Sequence, residues 1–172
     1  MRALMIVSGL LATLAGCATT ATPVPPAKSD TIRFSAGRCF GACPSYSVII
    51  EPDGSGVLYP EKYTSVPGET RFTVTPVQYR RLRDTLAPFR PAMGTERKIA
   101  PGEPSCQLAA TDMPDYQIIW TRAPQKPTKL DYYGGCRDPQ NTRLRAAIAT
   151  IPKLIGIEKM LTPAPGTTGK SR

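Results

Sequence analysis

Histidine is absent from the 172-residue chain. Without an imidazole, Ser-His and Cys-His nucleophile pairs cannot be assembled, nor can a zinc site that needs a nitrogen ligand. Acidic side chains are scarce. There are 13 Asp and Glu against 22 Lys and Arg, a formal net charge of +9. A membrane-spanning run is missing too. The N-terminal apolar stretch Ala3–Ala15 has 13 residues, and at 1.5 Å each they cannot cross a ~30 Å hydrocarbon core. A hydrophobic share of 41% still excludes a disordered polyelectrolyte, and the length suits one ordinary domain. The chain is rich in turn formers, with 19 Pro and 14 Gly, and carries five Cys.

The first sixteen residues read as an address. Arg2 is the only charge before Lys28, and the stretch behind it has the length of a signal-peptide h-region. Leu14-Ala15-Gly16-Cys17 resembles the lipobox of bacterial lipoproteins. The resemblance implies cleavage before Cys17 and acylation of its thiol. One acyl chain holds a membrane only marginally, whereas two or three anchor it firmly. Ala18 follows the cysteine. In Gram-negative lipoproteins an Asp there signals inner-membrane retention, so Ala implies the outer membrane, facing the periplasm.

Removing residues 1–16 removes Arg2 and leaves 21 − 13 = +8. Export argues against nucleic acid as the partner, and no recognition helix, RNP-like strand or zinc spacing is present. A basic envelope surface instead meets anionic lipid or wall polymer, or stays solvated. Candidate contacts are Arg80, Arg81, Arg83, Arg143 and Arg145, together with the 90–113 loop.

Residues 17–30 follow as the lipidated Cys17 and a disordered, proline-bearing tether, and residues 161–172 as a disordered tail. Between them, residues 31–160 form one domain. Ile32 and Phe34 alternate with polar neighbours, as do Tyr46, Val48 and Ile50. The Pro52–Gly56 turn folds 46–51 onto 56–60 as a hairpin, and Arg71–Val74 reads as an edge strand. Thr75-Pro76 opens a helix with the buried stripe Tyr79, Leu82, Leu86 and Phe89. Residues 90–113 read as irregular, a length that calls for a restraint or a purpose. The 114–120 segment echoes 44–50 seventy residues earlier, with Tyr116, Ile118 and Trp120 matching Tyr46, Val48 and Ile50. Strand 129–133 follows. Asp138-Pro139 opens a second helix by the same cap chemistry, with the stripe Leu144, Ala147, Ile148 and Ile151, and Pro152 ends or kinks it. The expectation is an α+β domain: an antiparallel sheet of five to six strands with two helices on one face, in two strand-turn-strand-helix halves.

Four cysteines remain once Cys17 is acylated. Outside the cytoplasm an even count reads as two disulfides, with three connectivities open. A redox dithiol at Cys39 and Cys43 is the sharper alternative, against which stands the C-x3-C spacing, not the C-x-x-C of thioredoxin-like sites.

The most distinctive run is Cys39-Phe40-Gly41-Ala42-Cys43-Pro44-Ser45-Tyr46, with Asp53-Gly54 in the turn beyond. It resembles an uncharacterised domain family of bacterial secreted and lipid-anchored proteins, with the hallmark Cys-Phe-Gly-x-Cys-Pro-x-Tyr, a strand, then Asp-Gly. The resemblance spans about residues 31–155. It implies pairing of Cys39 with Cys43, leaving Cys106 to Cys136, and it implies no activity. A chain-entropy treatment gives ~2 kcal/mol for the short loop and ~3.7 kcal/mol for the long one.

Other candidates fall away. Gly134-Gly135-Cys136-Arg137 resembles the cysteine motif of envelope L,D-transpeptidases, which need the histidine this chain lacks. Ser55 sits in a hairpin turn, not a nucleophile elbow. Asp112, Asp115 and Asp131 could gather near one sheet end but read as solvated or capping groups. The expectation is an envelope lipoprotein that is not an enzyme, with no cofactor or metal site. It binds or organises an envelope protein or an anionic wall or lipid component.

Overall fold

A computed structural model describes residues 29–162. The signal peptide, Cys17, nearly all of the tether and nearly all of the tail lie outside the described residues. Seven strands form one sheet in the order β4-β3-β2-β1-β6-β7-β5. They are β1 (Thr31–Ala36), β2 (Ser45–Ile50), β3 (Ser55–Lys62), β4 (Thr70–Thr73), β5 (Glu96–Ile99), β6 (Asp115–Thr121) and β7 (Thr128–Tyr133). Three helices accompany them, α1 (Pro76–Leu86), α2 (Thr142–Ile155) and the short α3 (Glu158–Leu161). The class is α+β.

The strand alternation buries one face of the sheet. Ile32, Phe34 and Ala36 of central β1 point into the core, joined by Val48, Ile50, Leu58, Ile118, Trp120 and Leu130. Leu82 and Leu86 of α1 and Leu144, Ile148 and Ile151 of α2 close the core from above. Burying each such side chain contributes about 1.5–3 kcal/mol. Thr75 starts α1 with a capping box: its hydroxyl accepts from Gln78 N–H while the Gln78 side chain accepts from Thr75 N–H.

The echo between 44–50 and 114–120 has a definite spatial meaning. β2 and β6 flank β1 on opposite sides and in the same register. Ile32 faces Ile50 and Trp120, Phe34 faces Val48 and Ile118, and Ala36 faces Tyr46 and Tyr116. The two hairpins then depart in opposite directions, β3 beyond β2 and β7 beyond β6. With the same face inward they have opposite hand, so no rotation superposes them. The two halves share a pattern without being a superposable repeat.

Three expectations need correction. The sheet has seven strands rather than five or six, and it is not wholly antiparallel. β5 lies inside the segment read as irregular and pairs parallel to β7. Three of its four residues are charged and only Ile99 is buried, so it carries no alternation to read. Asp138-Pro139 opens a single 3-10 turn (Pro139–Asn141) ahead of α2, and the Asp138 side chain does not cap it. Its carboxylate instead accepts from Gln107 N–H (3.1 Å) and Leu108 N–H (3.0 Å), pinning the preceding loop. Pro152 does not end α2, which runs on to Ile155 and stops at Gly156 in the left-handed region. Burial of Ile151, Ile155 and Ile157 offsets the one hydrogen bond the proline forfeits.

Candidate functional site

The chain leaves β1 at Ala36 and must turn back into β2 at Ser45. Cys39 and Cys43 close that turn with a disulfide, Cα–Cα 5.8 Å. Gly41 at its tip has φ +132° with open space around it, so glycine is required there for backbone conformation. Gly37 N–H donates to Asp115 C=O (2.7 Å) and Phe40 N–H to Asp112 C=O (3.1 Å), docking the loop on the approach to β6. Phe40 stands out from this fixed loop, 88% exposed.

Behind the loop lies a cavity of about 540 Å³. Tyr46, Phe34 and Tyr116 wall it on the sheet side, Pro44 and Met113 at the rim, and Ile148 on α2. The rings are ordered. Phe34 meets Tyr46 edge-on (centroids 6.0 Å), stacks with Tyr116 (6.0 Å), and Tyr116 stacks with Tyr132 (6.3 Å). Each such pair adds about 0.5–1.5 kcal/mol beyond its burial. Tyr132 donates its hydroxyl to Cys136 C=O (3.1 Å) and Tyr133 donates to Ala110 C=O (2.9 Å). The hydroxyls of Tyr46 and Tyr116 have no hydrogen-bond partner among the described residues, although Tyr46 is only 4% exposed. Burial pushes both phenols above their ordinary pKa, and for Tyr46 the neighbouring Tyr116 adds to the rise. Both are neutral O–H groups at any physiological pH.

The second disulfide, Cys106–Cys136 (Cα–Cα 5.1 Å), is fully inside. It anchors the long 90–113 segment, with help from Ala110 N–H to Gly135 C=O (2.8 Å) and Arg137 N–H to Leu108 C=O (2.6 Å). Gly135 is required for space: a Cβ there would stand 2.1 Å from Ala110 O.

Asp53-Gly54 is remote from the cavity, at the other end of the sheet. Asp53 accepts from Ser55 N–H (2.8 Å) and Ser55 Oγ–H (2.7 Å), which hold its carboxyl below the usual range. Gly54 (φ +90°) passes so close to Val74 that a Cβ would sit 2.2 Å from its carbonyl oxygen. These two residues hold the β2–β3 turn against the start of α1. They share a sequence run with the cavity residues but no site.

Asp115 and Asp131 do share a second cavity, of about 370 Å³, on the opposite face of the sheet with Ser35, Lys98 and Gln117. Asp131 is already engaged by Lys129 (2.8 Å) and Gln117 (2.8 Å). Those partners outweigh the upward push of its burial and hold its carboxyl low. Asp112 lies outside this cavity. No group of three His, Cys, Asp or Glu side chains suited to a metal ion occurs among the described residues. Of the basic candidates, Arg80, Arg81 and Arg143 are exposed. Arg83 pairs with Asp84 (3.0 Å), and half-buried Arg145 donates to Cys136 C=O (3.5 Å), so the five do not form one free patch.

Sequence reasoning missed a clasp at the root of β1. Asp30, 1% exposed, receives Arg90 through both carboxylate oxygens (2.6 and 2.9 Å) and Arg122 at 3.0 Å. Tyr79 donates its hydroxyl to Asp30 C=O, and Arg90 lies over the Trp120 ring at 5.5 Å. Burial alone would raise the Asp30 carboxyl, but the two guanidiniums bring it below 3.8.

A family profile described as a domain of unknown function, DUF6438, matches residues 30–155. The chain belongs to the DUF6438 family. The match begins at the clasp and ends in the last turn of α2, so it takes in both disulfides, all seven strands and every lining residue of the two cavities except Leu161. A search of curated proteins returns no match to this DUF6438 chain. No helix among the described residues is long and apolar enough to cross a membrane.

Proposed function

We propose that this DUF6438 protein is a lipid-anchored lipoprotein of the bacterial envelope, held by acyl chains on Cys17 and facing the periplasm from the outer membrane. Its domain is a non-catalytic binding module. The observation that carries the reading is the ring-walled cavity beside the Cys39–Cys43 loop, where buried Tyr46 offers an unpartnered hydroxyl. Two disulfides support an oxidising compartment. β1 runs from the tether root at Asp30 to the cavity at Ala36, six residues or about 20 Å. The tether thus joins at one end of the sheet, and the cavity with exposed Phe40 stands at the other, turned toward a partner. The cavity is lined throughout by uncharged side chains, which suits a binding surface. Photo-crosslinking in intact envelopes from a probe at Ala42, followed by mass spectrometry, should capture a discrete envelope component and report acylated Cys17. Crosslinks spread without preference, or a chain beginning at Met1 with a free Cys17, would sink the proposal.

A second reading has one observation in its favour: the Cys39–Cys43 bridge is half-exposed on a tight loop. Thiol-disulfide exchange there would show as a mixed disulfide trapped by Cys43→Ser. A bridge that resists reduction below about −300 mV is structural.

A further inference from the structure

We propose that the cavity behind the Cys39–Cys43 loop takes an uncharged, planar apolar ligand that presents a hydrogen-bond acceptor to the hydroxyls of Tyr46 and Tyr116. The inference rests on the binding-module reading and names its ligand class. Its volume, about 540 Å³, lies within the range of small-molecule sites. Every residue lining it is uncharged. A charged ligand would be stripped of water with no counter-charge to meet it, so the protein's basic surplus plays no part here. The walls favour a flat group, because the Phe34 and Tyr116 rings that line the cavity already lie stacked, 14° from parallel, and a further flat ring suits such aromatic walls. The polar requirement comes from the phenols. Buried hydroxyls are nearly always paired. Tyr46 is more than nine-tenths buried, lines the cavity and lacks a partner among the described residues. Arg122 Nε is the sealed-off side-chain atom without a partner among those residues. The Tyr46 oxygen is not among the sealed-off atoms, and Tyr46 lines the cavity. A neutral phenol can donate its proton to a carbonyl or ether oxygen.

The test is a fluorescence titration of the purified protein with prodan, a neutral naphthalene ketone. The analogue in which sulfonate replaces the ketone serves as the charged comparison. Ala149→Phe fills the mouth from an exposed position on α2, and this variant supplies the background from lipid or detergent. Prodan should bind above that background, and the sulfonate should bind at least tenfold more weakly. Tyr46→Phe and Tyr116→Phe keep the rings and should each weaken prodan by about 2- to 12-fold, with unchanged thermal midpoints. They should not alter binding of the naphthalene that lacks the ketone. Equal binding of sulfonate and ketone, equal binding to wild type and Ala149→Phe, or no effect of either Tyr→Phe change overturns the inference. Should prodan fail while envelope crosslinks from Ala42 still converge on one component, the ligand class is wrong and the binding-module reading stands.

Discussion

The two ends of the sheet are built on opposite physical plans. At the Asp30 end an ionic clasp closes the structure. Asp30 accepts from both Arg90 and Arg122, Arg90 lies over Trp120, and the Asp53-Gly54 turn sits tight against Val74, although Arg122 Nε stays sealed without a partner among the described residues. At the far end covalent bridges do the restraining. Two disulfides fix the loops, and the cavity behind the Cys39–Cys43 bridge is left open, apolar and lined with phenols unpartnered among the described residues. The difference shows that fixing the ends of loops by bonds lets their interior stay unfilled, whereas a clasp built on charge must be filled to be stable. The open, apolar space therefore lies at the bridged end.

That contrast can be broken in four ways. The largest effect should come from removing the buried bridge. Cys106→Ala with Cys136→Ala should cost about 3.7 kcal/mol and lower the thermal midpoint by roughly 10 °C, read by circular dichroism. Asp30→Asn should come next, at about 3 kcal/mol, because two guanidiniums lose their shared carboxylate. The clasp also predicts an acid limb. The native carboxyl titrates below 3.8, so its contribution is complete above that value and is lost as pH falls through the lowered native pKa. Denaturant titrations of wild type and Asp30→Asn should therefore differ most above 3.8 and converge as pH falls through the lowered native pKa. Cys39→Ala with Cys43→Ala should cost less, about 2 kcal/mol. In the native wild type, dithiothreitol should open this half-exposed bridge while the buried one stays closed, as counted by alkylation and mass spectrometry. If both open together, the two bridges are not the distinct environments described. The smallest stability change belongs to Phe40→Ala, within about 0.5 kcal/mol for an exposed side chain, yet it should remove the envelope crosslinks formed from Ala42.

Much of the frame was legible residue by residue. Thr75-Pro76 announced α1 because capping is a local transaction between neighbours. The Tyr46/Tyr116 echo announced two equivalent strands because burial on one face imposes a period of two. β5 was silent because an edge strand of Glu96-Arg97-Lys98 draws its stability from pairing with β7, which leaves no trace in its own side chains. Asp138 misled for a related reason: its local context reads as a cap, while its partners, Gln107 and Leu108, stand some thirty residues away. Of the site, the Cys39-to-Tyr46 run marked the place, but not the cavity.

The sequence alone settled the α+β class, the helix start at Thr75 and most of the strands, since each follows from neighbours within a few bonds. The tertiary structure alone decided that Tyr46 and Tyr116 face each other across β1. It alone brought Arg90 and Arg122 to Asp30 from 60 and 92 residues away, and it left a cavity behind one bridge. Such contacts form only when strands pair and burial chooses which distant groups must meet. No local pattern encodes that choice.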